Sequence, residues 1–271
     1  MFQIGMIVPL FLYKLKLLKK MSNLNGKVAV VTGGNSGIGY ATAQKFKAQG
    51  ATVVITGRSA ERVAEAAQKL GVKGIVADVS SLVAIDRLVE QVKNEHGQVD
   101  VLFVNAGIFA PAPVGQISEE MFDQQMGINF KGAVFTVEKF LPILKDGASI
   151  INLSSVNAYS GMTNTAVYAA SKAALNSYTR TAATELAPRK IRVNAVNPGP
   201  VATPIFDKTG MPEEQLNNFA QAMQNRIPLK RFGQPEDIAN LVAFLASDDA
   251  SFITGAEYNI DGGIAVNPIV G

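Results

Sequence analysis

From Lys27 to Ile260, short apolar runs alternate with longer amphipathic stretches, and a glycine-rich turn follows the first run. The alternation, the near absence of polar residues within the runs and the placement of that turn predict an α/β fold, a single doubly wound parallel sheet with helices on both faces. Parallel strands joined by crossover helices are covered on both sides, so they read as continuous apolar runs rather than as apolar/polar alternation.

The elements follow in order. Residues 28–32 are a buried strand of valine, alanine and threonine; the chain then turns through glycines into a helix over 37–49. Residues 51–56 return as a β-branched strand, 60–70 as an amphipathic helix and 72–76 as a short strand. A helix over 81–95 leads into the apolar strand 99–104. A long helical region over 118–144 precedes the strand 149–153. The alanine-rich stretch 166–187 reads as a helix and 191–196 as a strand. A short helical run over 213–224 comes next, then a helix over 235–246 with Pro235 in its first turn, where a missing N–H costs nothing. A last short strand covers 257–260. No repeat, low-complexity tract or linker divides residues 21–271, so one domain is expected.

Composition narrows the function. With 48% hydrophobic and 17% charged residues among 271, the chain is globular rather than disordered. The formal charge is +3, but Lys14, Lys16, Lys19 and Lys20 supply more than that, leaving the remainder nearly neutral. The basic surface of a nucleic-acid binder is therefore not expected. With no cysteine there is no disulfide, thiolate metal site or cysteine nucleophile, no metal is expected, and the cytosol is the default compartment. The single histidine, His96, falls near the polar end of a predicted helix and is expected at the surface. Residues 1–20 are apolar and then basic. They are too short before their first charge to span a bilayer, and a secretory signal would carry its charge first. They read as an extension outside the fold, with Met21-Ser22 as its beginning. A weak membrane-surface anchor is the alternative.

In a doubly wound sheet, ligands bind at the carboxyl ends of the strands, near the point where strand order reverses. Chemistry-bearing residues fall just after the predicted strands. Thr32-Gly33-Gly34-Asn35-Ser36-Gly37-Ile38-Gly39 places glycines where backbone N–H groups can approach a pyrophosphate at a helix N-terminus. Its spacing is GxxxGxG rather than GxGxxG. At the end of the second strand, where NAD-binding proteins commonly carry an acid, stand Gly57, Arg58 and Ser59. A guanidinium there can hold a 2′-phosphate through charge-assisted bonds, favouring NADP(H) over NAD(H). Tyr168 and Lys172, four residues apart, share a helix face. A nearby cation stabilises phenolate and is expected to lower the phenol from its usual pKa of about 10, making Tyr168 an acid/base.

TGxxxGxG, Asp78, Asn105-Ala106-Gly107 and Tyr168/Lys172, in this order, resemble the short-chain dehydrogenase/reductase family in its branch of roughly 250 residues, including 3-oxoacyl-carrier-protein reductases and other ketoreductases. The resemblance covers residues 25–264 and implies a Rossmann-type sheet. It also implies that Asp78, followed by Val79, holds the adenine amine, that Asn105, Ala106 and Gly107 line the adenosine side, and that Pro198, Gly199, Val201 and Thr203 contact the nicotinamide carboxamide. The catalytic group it implies is Asn129, Ser155, Tyr168 and Lys172. Ser155 lies thirteen residues before Tyr168, and Ser154, at fourteen, is the weaker choice. Ser155 would stabilise charge on the substrate oxygen. Tyr168 would give or take the proton, and Lys172 would hold the nicotinamide ribose. Asn129, in an otherwise unfavourable helix-interior position, would position a proton-relaying water.

Residues 204–228 are implied to be the substrate lid. The helices over 118–144 and 166–187 are implied to pair in a homotetramer, or a homodimer. The expected function is an NADP(H)-dependent oxidoreductase interconverting a ketone or aldehyde and an alcohol, acting on a small molecule. The alternatives are an NAD-linked secondary alcohol dehydrogenase and a non-catalytic dinucleotide-binding sensor or scaffold.

Overall fold

The computed structural model describes residues 23–203 and 213–266, without the side chains of 213–219. The expected extension, residues 1–20, and the first part of the expected lid, residues 204–212, lie outside the described residues.

Seven strands form one sheet in the order β3-β2-β1-β4-β5-β6-β7, and every neighbouring pair is parallel. They are β1 Val28–Val31, β2 Thr52–Gly57, β3 Lys73–Val76, β4 Val99–Val104, β5 Leu144–Leu153, β6 Arg192–Pro198 and β7 Glu257–Ile260. The helices are α1 Gly37–Ala48, α2 Ala60–Leu70, α3 Leu82–His96, α4 Glu119–Met126, α5 Ala133–Phe140, α6 Ala166–Leu186, α7 Glu213–Arg226 and α8 Pro235–Ala246. β1 lies between β2 and β4, with Val30 opposite Val54 on one side and Leu102 on the other.

Successive strand residues point to opposite faces, and here both faces are dry. Ala29 and Val31 enter a core with Phe46 of α1 and Ile238 and Val242 of α8. Val30 and Leu102 enter a second core with Val92, Phe140 and Leu175, from α3, α5 and α6. This is why the strands read as unbroken apolar runs. Phe46 and Phe140 are each 0% exposed; truncating either to alanine would cost about 3–5 kcal/mol.

Serine caps begin several of the helices. The hydroxyls of Ser59, Ser81 and Ser118 accept from the N–H groups of Arg62, Ala84 and Met121, each satisfying one of a helix's orphan donors. At α8 the Asp237 carboxylate reaches back to accept from the Gln234 N–H at 2.8 Å.

Three expectations need correction. The helix expected over 118–144 is interrupted by a π-helical turn, Gly127–Gly132, between α4 and α5. Gly132 lies so close to the β3–α3 loop that a Cβ there would stand 2.6 Å from the Val79 carbonyl oxygen. β5 starts at Leu144 rather than 149: Leu144 pairs with Val99, and a register shift carries Lys145, Asp146 and Gly147 as a bulge that reads as loop in the sequence. His96 closes α3 as expected, but its side chain is only 18% exposed and its Nε2 is buried without a hydrogen-bond partner. Among the described residues, no helix is long and apolar enough to cross a membrane.

Candidate active site

The chain leaves β1 toward β2 and leaves β4 toward β5, so the strand order reverses between β1 and β4. A cleft of about 650 Å³ opens there along the carboxyl ends of the strands.

Its floor is stitched by Thr32 and Asn105. The Thr32 hydroxyl accepts from the N–H groups of Asn105 (2.9 Å) and Ala106 (3.1 Å), and Asn105 Nδ2 donates to the carbonyls of Thr32 (2.8 Å) and Gly33 (3.2 Å). These bonds join the loop after β1 to the loop after β4. Gly33 has φ 64°, and a Cβ there would stand 2.8 Å from Asn105 Nδ2. At Gly39 a Cβ would meet the Gly33 carbonyl oxygen at 2.4 Å. Neither position tolerates a side chain. Ser36 is the N-cap of α1 but makes no side-chain cap hydrogen bond, unlike the serines of α2, α3 and α4. The first-turn N–H groups of α1 therefore remain available to an anion in the cleft, and this bare backbone cradle fits a dinucleotide pyrophosphate.

The outer end lies where β2 ends. A Cβ on Gly57 would stand 2.5 Å from Asn35 Oδ1, so Asn35 fills the space an acidic side chain would need. Arg58 and Arg62 are exposed and line this end with Ser59, while Lys69 is paired with Glu65 at 2.7 Å. Asp78 and Val79 line the cleft beyond β3, with Asp78 Oδ1 accepting from Ser80 N–H and Oγ at 2.9 and 2.8 Å.

The inner end is assembled from β5, α6 and the π turn. Adjacent serines at the end of β5 diverge. Ser154 Oγ donates to the Lys172 carbonyl at 3.1 Å, whereas Ser155 Oγ accepts from Asn157 N–H at 3.2 Å and faces the Tyr168 phenol. Lys172 is 4% exposed; its Nζ donates to the Leu153 carbonyl at 2.7 Å and lies 5.8 Å from the centre of the Tyr168 ring. Asn129 is 1% exposed, and its amide binds the N–H and carbonyl of Ile108 and the Ser171 hydroxyl. A Cβ on Gly107 would stand 3.3 Å from Asn129 Oδ1 and 3.5 Å from Lys172 Nζ. The helix lysine and the π-turn asparagine thus converge on one glycine.

Electrostatics at this end depart from the sequence expectation. Burial pushes the Tyr168 phenol above its ordinary range, and the Ser155 hydrogen bond draws it back. Burial also lowers Lys172, to about 8. The opposing influence on the phenol therefore comes from Ser155 rather than from Lys172, whose Nζ is engaged by a backbone carbonyl.

Most of the expected residues meet at the cleft: Gly33, Asn35, Ser36, Gly37, Ile38, Arg58, Ser59, Asp78, Val79, Asn105, Ala106, Gly107, Tyr168, Lys172 and Thr203 line it. Thr32, Gly39, Asn129, Ser155, Pro198, Gly199 and Val201 are not among the lining residues, whereas Ser154, the weaker choice in the sequence, is. Gly199 packs against Asp261, where a Cβ would meet the Asp261 Cα at 2.8 Å, and Val201 is buried and bridged to Gly233. Arg62, Tyr40 and Ile108 also line the cleft and were missed. For Arg62 the available signal was a second basic residue in the first turn after β2.

The chain is similar to known proteins over most of its length. A family model described as enoyl-(acyl carrier protein) reductase matches residues 33–265. The 3-oxoacyl-[acyl-carrier-protein] reductase of Thermotoga maritima is 40% identical over 250 residues, which are 90% of this chain and 99% of the relative. The chain belongs to the short-chain dehydrogenase/reductase family. Among solved members, the 3-ketoacyl-(acyl-carrier-protein) reductase of Brucella melitensis complexed with NADH superposes with a TM-score of 0.83 at 36% identity, covering 90% of this chain and all of that one. A blue fluorescent protein from a metagenomic library, in complex with NADPH, has a TM-score of 0.82 at 36% identity, covering 90% and 99%. This short-chain dehydrogenase/reductase is thus an oxidoreductase acting on CH–OH groups with a nicotinamide dinucleotide.

Proposed function

We propose that this enzyme interconverts a ketone or aldehyde and an alcohol with NADP(H), using Tyr168 as the acid/base. The observation that carries the reading is Tyr168 with Lys172 Nζ 5.8 Å from its ring centre, at the inner end of a cleft whose outer end presents Arg58 and Arg62, with Ser155 bearing on the Tyr168 phenol. A bound nicotinamide cofactor supplies or accepts the hydride. The chain's own groups do the rest. Ser155 donates a hydrogen bond to the substrate oxygen and stabilises its developing charge. Tyr168 delivers a proton to that oxygen in reduction and removes it in oxidation. Lys172, next to the Tyr168 ring, holds the ribose hydroxyls. Asn129 keeps the Gly107–Ile108 backbone in place. At the outer end Arg58, with Ser59 and Arg62, receives the 2′-phosphate. Gly57, under Asn35, supplies no acid for a free 2′-hydroxyl.

A second reading, an NAD-linked dehydrogenase, draws support from the NADH complex of the Brucella relative. The sensor reading is disfavoured because all four members of the catalytic group are present and adjacent. The assembly is read as a homotetramer, checked by sedimentation velocity, and the compartment as the cytoplasm.

The test is to titrate the full chain with NADPH and NADH, following nicotinamide fluorescence, and then to assay a panel of ketones and aldehydes. NADPH should bind about tenfold more tightly, in line with one charge-assisted contact, and should support turnover. Equal or tighter NADH binding would move the NAD-linked reading to first place, and binding of neither would reject both.

A further inference from the structure

The loop after β4 is held by two side-chain amides standing one helical turn apart. Asn129 Oδ1 accepts from Ile108 N–H at 2.8 Å, and its Nδ2 donates to the Ile108 carbonyl at 2.9 Å. Gln125 repeats the pattern two residues further along: its Oε1 accepts from Ala110 N–H at 3.1 Å and its Nε2 donates to the Ala110 carbonyl at 2.9 Å. Gln125 lies in the last turn of α4 and Asn129 in the π turn that continues it, about one turn further on, while two residues of extended chain advance about 6.6 Å. The two amides can therefore pair with alternate residues of the loop, much as a neighbouring strand would.

Phe109, between the two clamped residues, presents its ring edge-on to Tyr168, with centroids 5.1 Å apart and planes at 88°. The clamp also reaches Tyr168 through α6, because Asn129 Nδ2 donates to Ser171 Oγ at 3.2 Å and Ser171 Oγ donates to the Tyr168 carbonyl at 2.7 Å. Beyond the clamp, Ala112 N–H donates to the Asn164 carbonyl at 2.9 Å, just ahead of α6. Gln125 is 1% exposed, so water cannot replace the bonds it makes.

We propose that Gln125 is a positioning residue for the reaction: with Asn129 it clamps residues 108–110 and thereby holds the Phe109 ring against Tyr168. The proposal rests on the carbonyl–alcohol reading above. Gln125→Leu keeps much of the volume and removes both bonds to Ala110. Amide exchange in a peptide covering residues 108–112 should accelerate about tenfold or more. The kcat should fall about tenfold, since small misplacements of reacting groups are costly, while the fluorescence titration with NADPH stays unchanged. Phe109→Leu leaves both amides in place and tests the same contact from the other side. It should lower kcat comparably without accelerating exchange at Ala110, and the double variant should be no slower than the slower single one.

Unchanged kcat in the presence of accelerated exchange would overturn the proposal. So would unaltered exchange in Gln125→Leu, or additive losses in the double variant. If the unaltered chain turned over no carbonyl, the functional reading would fail and the positioning role with it. The exchange measurement would still show whether the clamp exists.

Discussion

The two ends of the cleft are built on opposite terms. At the outer end, Arg58 and Arg62 are exposed and meet the cleft from a loop and a first helical turn. At the inner end, Asn129, Ser155 and Lys172 are 1%, 8% and 4% exposed, each hydrogen-bonded to backbone within the fold. Exposed charges select a ligand by an attraction that water and salt weaken. Buried groups act through fixed geometry, where losing one partner leaves another stranded. The outer end should therefore be tunable in small steps and the inner end unforgiving.

The largest effect should come from the inner end. Tyr168→Phe removes the proton donor while keeping the ring against Phe109, so kcat should fall about 10²- to 10⁴-fold with NADPH affinity within about twofold of the unaltered chain. Activity above a few per cent would remove Tyr168 from its role.

Lys172 gives the next effect, in stability rather than turnover. Its pKa is lowered to about 8 in the folded chain against 10.5 for the free side chain, so between those values the unfolded chain binds more protons than the folded one. Stability must rise with pH across that window and carry the full cost of the buried charge below it. Compared with Lys172→Met, the unaltered chain should gain up to about 3 kcal/mol between pH 8 and 10.5, read from urea melts of both proteins. A constant difference would show that Lys172 is not depressed.

The outer end should respond less. Arg58→Ala should weaken NADPH about tenfold and NADH hardly at all, and the difference between the two cofactors should shrink in high salt. Loss of both affinities together would mean that Arg58 supports the loop rather than selecting the cofactor. The smallest effect is expected at Ser59→Ala. Its 3.4 Å cap to Arg62 N–H is long, so α2 should lose about 0.5–1 kcal/mol, seen as a small drop in Tm.

The same contrast decides what could be read from the chain alone. The strands, the helix pair around β2 and the glycine turn were legible because apolar runs and glycine spacing are local signals. Tyr168 and Lys172 were legible because one helix carries both. The choice between Ser155 and Ser154 rested on a spacing: the Ser154 hydroxyl lines the cleft and is bound to the backbone of α6, while the Ser155 hydroxyl is the one that bears on the Tyr168 phenol. Three features were illegible. The partners of Asn129 in the π turn are Ile108 and Ser171, 21 and 42 residues away. The pairing of Gln125 with Ala110 lies across 15 residues and a loop. The raised phenol of Tyr168 reflects burial, which no spacing records.

Local chemistry along the chain was thus enough to determine a doubly wound sheet, its ligand-binding edge and the residue types gathered there. Those depend on propensity, periodicity and glycine, all of which act over a few residues. Tertiary structure alone decided which hydroxyl faces the phenol, which amides hold the loop beneath it, and whether proximity or burial governs its proton. Each of these depends on which distant groups are desolvated together.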